Sequence, residues 1–418
     1  LFVLLRDLGL WVGGTVDDPL FDGRYLAPAP LERHRRDGLW REGLAPIGLG
    51  DPAEDEAAFA RFEVHLADLA RRAVGSDGRR LFDFPARASS RDLAGLDAID
   101  FATYLERNGL SSPALDWYVD YACRDDYGLS ARDTSAFAGL HHFLARGLEF
   151  ERGTRLFVSP RGNHHLVEGM LAACPPGRLR TGHAVVAVDP AGAVTAYDVA
   201  ARRNVRFEAN TILWAAPRFV LRRLLPEGAD PTHQGDLGYT PWRVSAIEVD
   251  AGPGGIGAPL SWDNVDVEAD HLGYVVANHG EIGPPRPGAV LVLYEPLVGR
   301  TAAELSAARR RLLATPLDAA AAEVVATLED LHPGIASHVR HVHVTRWGHA
   351  MIRPYPGYLF GGPRDRAAAP VGAVVPCAAD TAGLPLFEEA FASGIRAAAR
   401  AIARAGRRPD PDLAHVPA

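Results

Sequence analysis

Residues 252–257 read GPGGIG, and Gly252, Gly254 and Gly257 match the pattern G-x-G-x-x-G that carries a dinucleotide's pyrophosphate. That chemistry needs a helix directly behind the loop, because backbone N–H groups at a helix start hold the phosphates. Here VSAIEVD and PLSWDN read as strands on either side, and Pro259 opens no helix. GPGGIG is therefore expected to be a hairpin loop between strands. A second stretch has the context that the first lacks. GAVVPCAA reads as a strand delivering Asp380 at its end, Gly383 and Pro385 form a loop, and a long helix begins near Leu386. Such a helix end presents free N–H groups and a partial positive charge, so it favours negative charge placed before it. The plain alternative is an Ala-rich surface helix, with Glu388 and Glu389 early and Arg396 and Arg400 late to suit its dipole.

Other chemistry-bearing residues are sparse. His141 and His142 sit in a helical stretch, where one of them could face a cavity and either could be a core or surface residue. Asp125-Asp126 could bind a cation, but without partners it reads equally as a solvated turn or a helix cap. No G-x-S-x-G, H-E-x-x-H or P-loop pattern is present, which leaves hydrolase, zinc and nucleotide-triphosphate chemistry without support. Cys123, Cys174 and Cys377 build neither a disulfide framework nor a zinc site and are expected to be small buried hydrophobes; no metal is expected. All 44 basic residues are arginine, so no mechanism can use a lysine.

The elements that must position these residues follow from pattern. The 418 residues suffice for two domains, and 47% hydrophobic with 23% charged is the composition of an ordinary soluble globular protein. A formal charge of −8 carries no footprint for nucleic acid, and no apolar run is long enough to span a membrane. LFVLLRDLGL reads as a short helix ending at Gly9, and the next stretch as hairpin and loop. Asp51-Pro52 starts a helix with Phe59, Phe62, Leu66 and Leu69 on one face and Gly75 to end it; helices continue to about residue 147. LFVSP is a short strand, RGN a turn and cap, HHLVEGMLAAC a helix, and residues 178–199 strands folding back around 189–192. NTILWAAP is a strand ending at Pro217. Strand patterns dominate from about 235 to 300, two helices follow, then the strand SHVRHVHVTRW, and the tail from 406 is expected to fray.

Three segments in order carry a resemblance: RGNHHLVEGML…RLRTGHAVVAVD…NTILWAAP at 161–217, TRWGHAMIRPYPG at 345–357, and CAADTAGLPLFEEAFASGIRAAARAI at 377–402. Together they resemble the FAD-dependent amine oxidase superfamily, which includes protoporphyrinogen oxidases and phytoene desaturases. RDDYGLSARDTSAFAGLHHFLARG is also similar to uncharacterised bacterial members. The resemblance implies an α/β (α+β) fold: a partial Rossmann-like FAD/NAD(P)-binding domain with a mixed β-sheet plus a helical substrate-binding domain. It divides the chain into a mostly helical substrate-side region (1–150), FAD-binding parts (151–225 and 351–405), a substrate domain (226–350) and a tail (406–418).

The resemblance also implies roles for particular residues. Asp380 would contact the ribityl–pyrophosphate region, with Ala379 standing where the family has glycine. Backbone at Leu386, Phe387 and Glu388 would meet the isoalloxazine and stabilise charge on the reduced ring. Val185 would pair its backbone with adenine, and the turn Ala215-Ala216-Pro217 would let the chain approach the cofactor; sheet core is the alternative for Val185 and Ala215. Trp347, His349 and Tyr355, with His142, would line the cavity, with simple packing as their other role. Arg161, Gly162 and Asn163 match the family's turn before a helix. Two departures shape the expectation. The family's glycine-rich strand–helix–strand has no counterpart, so an N-terminally shortened chain with weak or lost FAD binding is expected. Many amine-oxidising members use a lysine that holds a water at flavin N5, so desaturase-like or other dehydrogenase chemistry on a small-molecule substrate fits better. The alternatives are a cofactor-free binding or scaffold protein of the same fold, and a related enzyme using NAD(P).

Overall fold

A computed structural model describes residues 2–15, 18–145, 157–159, 162–233, 235–281 and 287–408. Helix α1 (Phe2–Asp7) is stopped by Gly9 at a positive φ of 70°. Strands β1 (Trp11–Gly14) and β2 (Pro19–Phe21) pair antiparallel. Strands β3 (Glu32–Arg36) and β4 (Leu39–Glu42) form a hairpin turned by Asp37-Gly38, both at positive φ (52° and 72°), which suits the twist of the flanking strands. In α2 (Pro52–Arg71) Asp51 caps the start, accepting from the Glu54 N–H at 3.1 Å, and Pro52 occupies the first turn. The helix stops at Arg71, short of the expected Gly75, and Ala73 takes the left-handed conformation instead (φ 43°). Helices α3 (Phe101–Arg107), α4 (Pro113–Tyr127) and α5 (Ala136–Leu144) pack on α2 around Phe62, Leu66, Phe101, Tyr127 and Phe137.

After α6 (His164–Ala172), strands β5 (His183–Asp189), β6 (Ala193–Asp198) and β7 (Arg203–Glu208) form an antiparallel meander. Asp189 Oδ1 accepts from the Ala191 N–H (2.9 Å) to close the first turn. Strand β8 (Ile212–Trp214) and α7 (Arg218–Leu224) lead into a long sheet built from β9 (Tyr239–Val249), β10 (Asp263–Asp266), β11 (Tyr274–Val276) and β12 (Ala289–Pro296). Helices α8 (Ala302–Ala314) and α9 (Leu317–Leu331) intervene before β13 (Val339–Ile352). The chain closes with α10 (Pro363–Ala368), β14 (Val374–Pro376), α11 (Ala379–Ala382) and α12 (Phe387–Arg404).

The large sheet is mixed, in the order β13-β9-β12-β11-β10-β3-β4, with β10 and β3 parallel. One face buries Ile247, Tyr274, Leu291 and Leu293 against Val324, Leu328 and Leu331 of α9. The other face carries Trp242, Val265 and Tyr294 against Trp117 and Tyr121 of α4. Both faces are covered, which is why β9 and β12 bury residues of both parities. Elsewhere β8 and β14 run parallel, as a two-stranded sheet among the described residues.

GPGGIG is not a hairpin. It joins β9 to β10, which are not neighbours in the sheet, and crosses to the β4 edge. There Trp40 donates its N–H to the Ile256 carbonyl and accepts from Ala258, each at 2.9 Å. A Cβ on Gly255 would meet the Trp40 ring, and one on Gly257 (φ 108°) the Trp40 carbonyl oxygen. His332 holds the Gly254 carbonyl at 2.5 Å, and the Arg33 guanidinium sits 3.9 Å above the Trp40 ring. Gly255 and Gly257 permit close approach to a tryptophan, Gly252 and Gly254 face open space, and strand β10, not a helix, comes next.

Two of the three cysteines are buried as expected, but Cys174 is exposed. Of the strand expected at LFVSP, Phe157 makes an antiparallel bridge to Leu26. Arg161, the helical expectation for 146–147 and the tail from 409 lie outside the described residues.

Candidate functional site

The parallel strands β8 and β14 end side by side, with the Cys377 N–H donating to the Trp214 carbonyl at 2.9 Å. Ligands of open parallel sheets bind outside such carboxyl ends. Beyond β8 the chain forms a crest of small residues, and Ala215, Ala216 and Pro217 are all exposed. Ala378 and Ala379, beyond β14, are half-buried. Pro217 then caps α7, whose first N–H belongs to Arg218.

Asp380 lies immediately behind this crest and is buried. Its Oδ2 accepts from the Arg218 N–H (2.6 Å) and from the Tyr239 hydroxyl (2.7 Å), so it caps α7 from across the fold. Its Oδ1 is buried without a hydrogen-bond partner. Tyr358 donates its hydroxyl to the Asp380 carbonyl (2.6 Å). The Arg218 side chain, fully buried, donates to the Ala367 carbonyl (3.1 Å) and to Asp230 (2.7 Å). Burial raises the Asp380 carboxyl above the usual range, opposed by Tyr239 and by the N–H and charge of Arg218.

Aromatic rings flank Asp380. On one side His349 stacks on Phe219 at 4.2 Å, and Tyr239 stands 5.7 Å from the His349 ring. His349 lies in a bulge of β13 between Trp347 and Met351, which breaks the register and re-aims the side chain. Burial, with Arg309 and Arg223 nearby, pushes its imidazole down to about 4, so the ring is neutral at pH 7. On the other side Tyr355 packs on Tyr358 (5.3 Å) and donates to the Asp236 carbonyl at 3.2 Å. Trp347, on the same strand as His349, is 55% exposed.

Helix α12 begins after Leu386 with no side chain capping its first turn. Leu386, Phe387 and Glu388 are all half-buried. Leu386 packs on the helical core and Phe387 on the cluster of Leu5, Leu10 and Leu166, so the helix start is wedged between two apolar bodies. Gly394, farther along, faces open space.

Val185 lies apart from this assembly, on the meander. It is 37% exposed and helps to line an open recess of about 480 Å³ with Arg178, Arg180, His183, Val194, Ala196 and Phe207. The Arg180 guanidinium stands 5.4 Å over the Phe207 ring.

Thus Asp380, the crest, His349 and Tyr355 share one assembly, joined through residues that the sequence reading did not single out: Arg218, Phe219, Tyr239 and Tyr358. Arg218 carried one usable signal, its place directly after Pro217 at a helix start. Tyr239 and Tyr358 carried none, because nothing local marks a hydroxyl that will meet the Asp380 carboxylate 141 residues away or its backbone carbonyl 22 residues away. His142 is elsewhere, its Nδ1 in a 2.7 Å hydrogen bond with Asp126, and that pairing accounts for one half of the acidic doublet. His141 is fully buried and bonds the Asp83 carbonyl through Nε2 (2.9 Å). No group of metal-ligating side chains forms among the described residues, and no helix there is long and apolar enough to cross a membrane.

Comparison with known proteins supplies the wider frame. The solved structures of similar fold include cyclohexylamine oxidase from Brevibacterium oxydans IH-35A, at 16% identity and a TM-score of 0.60, covering 97% of this chain and 85% of that one. They include putrescine oxidase bound to putrescine, at 16% identity and a TM-score of 0.62, covering 96% and 85%. A CLA-producing fatty acid isomerase from P. acnes matches at 13% identity and a TM-score of 0.60, covering 94% and 82%. At these identities the likeness concerns the fold. No curated protein sequence matches. The family model described as flavin containing amine oxidoreductase matches residues 10–402, nearly the whole chain, and the chain therefore belongs to that family.

Proposed function

We propose that the chain is an FAD-dependent oxidoreductase that removes a hydride from a small or medium organic substrate without help from a lysine. The observation that carries this is the orphaned Oδ1 of Asp380, a buried acceptor directly behind an exposed crest of small residues. Leaving such an atom unpaired is costly, on the order of 1–3 kcal/mol. A sugar-alcohol hydroxyl of the ribityl chain is a donor of the right kind. The uncapped first turn of α12 supports the same reading, since N–H groups there suit the electron-rich edge of a flavin. Both features fit the group.

In this reading Leu386, Phe387 and Glu388 hold the ring edge through backbone, Ala215, Ala216 and Pro217 admit the cofactor closely, and Asp380 takes the ribityl chain. Val185 and the recess beside it take the adenine end, with Arg178 and Arg180 favouring phosphate. When bound, the flavin supplies a two-electron acceptor. The chain's own work is to orient the substrate's C–H bond and to exclude water. His349, neutral and stacked on Phe219, contributes an apolar wall beside Tyr239, and Tyr355 and Trp347 extend it.

A second reading, a scaffold of the same fold without the reaction, is favoured by one observation. Among the described residues no G-x-G-x-x-G loop opens a helix, and the single sequence match is packed onto Trp40. Titration of the purified chain with FAD separates the two. Saturable uptake that leaves the protein yellow after free FAD is removed is expected; a stably folded protein that is colourless once the excess FAD is removed would replace the first reading with the second.

A further inference from the structure

Glu389 stands in the first turn of α12, and its side chain is fully buried. At this third helical position a glutamate commonly reaches back to its own N-cap. Here the N-cap is Leu386, which offers no side-chain bond, and Glu389 reaches away from the helix. Its Oε1 accepts the Ala86 N–H from the short 3-10 turn Ala86–Ala88 of the helical layer, while Oε2 is buried without a partner.

The charged groups around Glu389 come from three elements. From α12 itself come Glu388 and Arg396, from α10 Arg364 and Asp365, and from the 86–88 turn Arg87. Arg364 is 2% exposed with Nε and Nη1 unbonded, and Arg396 has an unbonded Nη1. No ion pair joins either to Glu389 among the described residues; Arg87 and Arg364 turn instead to Asp365, at 2.9 and 4.0 Å. A buried carboxyl that forgoes ion pairs and holds one backbone N–H on another layer is acting on position. We propose that Glu389 is a positioning residue: its bond to Ala86 fixes the start of α12 against the helical layer and so sets where the flavin-binding end of that helix stands. The last step rests on the function proposed above.

Burial pushes the Glu389 carboxyl up to about 7, against the pull of the Ala86 N–H, Arg396 and Arg364. Because the folded value lies above the unfolded one of about 4.5, the stability tied to this proton is fully present below about pH 4.5 and is lost as pH rises through about 7. Opening of this region should therefore become easier across the neutral range.

The test is hydrogen exchange on the full chain, as wild type, Glu389→Gln and Glu389→Ala, from pH 5 to 8 with intrinsic rates corrected. In the wild type, protection of residues 84–88 and of the first turn of α12 is expected to fall about tenfold or more, one pKa unit's worth, as pH rises. Glutamine keeps an acceptor for Ala86 but no titration, so Glu389→Gln should retain protection with a flat profile. Glu389→Ala should lose protection in both segments and bind added FAD about tenfold more weakly than Glu389→Gln. The proposal is overturned if Glu389→Ala leaves both segments as protected as the wild type, or if Glu389→Gln keeps the wild-type pH profile. Should Glu389→Ala fail to fold, the Glu389→Gln profile decides alone. A wild type that takes up no FAD would refute the function proposed above, while the exchange profiles would still test the bond to Ala86.

Discussion

Asp380 shows how much one side chain can hold together in this protein. A single oxygen serves a helix N–H and a tyrosine hydroxyl, and its own carbonyl serves a second tyrosine. Removing the Tyr239 hydroxyl as Tyr239→Phe keeps the ring contacts with Phe219 and His349 and deletes one bond to a buried carboxyl. A loss of about 1–3 kcal/mol is expected, visible in chemical denaturation. Asp380→Ala should cost more, because the Arg218 N–H and the Tyr239 hydroxyl both lose their acceptor. If Tyr239→Phe were neutral, the hydroxyl would be solvated in the folded protein and the assembly looser than described. From the sequence, Asp380 is expected at the end of a strand, before a loop and a helix; the strand instead stops at Pro376 and Asp380 lies in the short helix α11, ahead of α12. The sequence could not reveal that the carboxyl points inward to α7, since that depends on β8 and β14 lying side by side.

At the scale of elements, the glycine-rich loop is the clearest case of a pattern separated from its usual meaning. Its spacing matches a phosphate cradle, yet Gly255 and Gly257 answer to Trp40 and Gly252 and Gly254 meet nothing. Gly257→Ala should cost roughly 1–3 kcal/mol, because the residue has a positive φ and a Cβ there would strike backbone. Gly254→Ala has open space and should fall within about 0.5 kcal/mol of wild type. Neither should alter FAD affinity, whereas a phosphate loop would lose affinity at both positions. Thermal denaturation and FAD titration of the two variants check both statements. The absence of a helix behind the loop was legible in the sequence, because Pro259 and the residues after it favour extended chain. The expected hairpin failed because strand adjacency is a property of the whole sheet.

The molecule as a whole divides its apolar burial between separate clusters. One, in the helical layer, reaches Leu359, Leu384 and Leu386 beneath the start of α12. Another, between the large sheet and α9, shares no residue with it. Leu328 is fully buried in the second. Leu328→Ala should therefore destabilise the protein by about 2–5 kcal/mol while leaving FAD affinity unchanged at temperatures where the protein stays folded. A matched loss of affinity would mean that the two bodies are coupled through the sheet. The same fold carries oxidases and an isomerase in its structural relatives, so the reaction is decided at the site and not by the architecture.

The sequence by itself determined the elements whose signals are local: the capped start of α2, a hairpin before it, the turn at 189–192, and the strand before Asp380 with the long helix after it. It also settled the absence of lysine. Each of these rests on residues within one turn or one strand of each other, where backbone sterics and capping act. Tertiary structure alone decided that Tyr239 and Tyr358 meet Asp380, that GPGGIG lies on Trp40, that His142 pairs with Asp126 away from the crest, and that Glu389 reaches Ala86. Those contacts join residues tens to hundreds of positions apart. Local preference says nothing about such pairs, because they form only when packed layers bring their elements together.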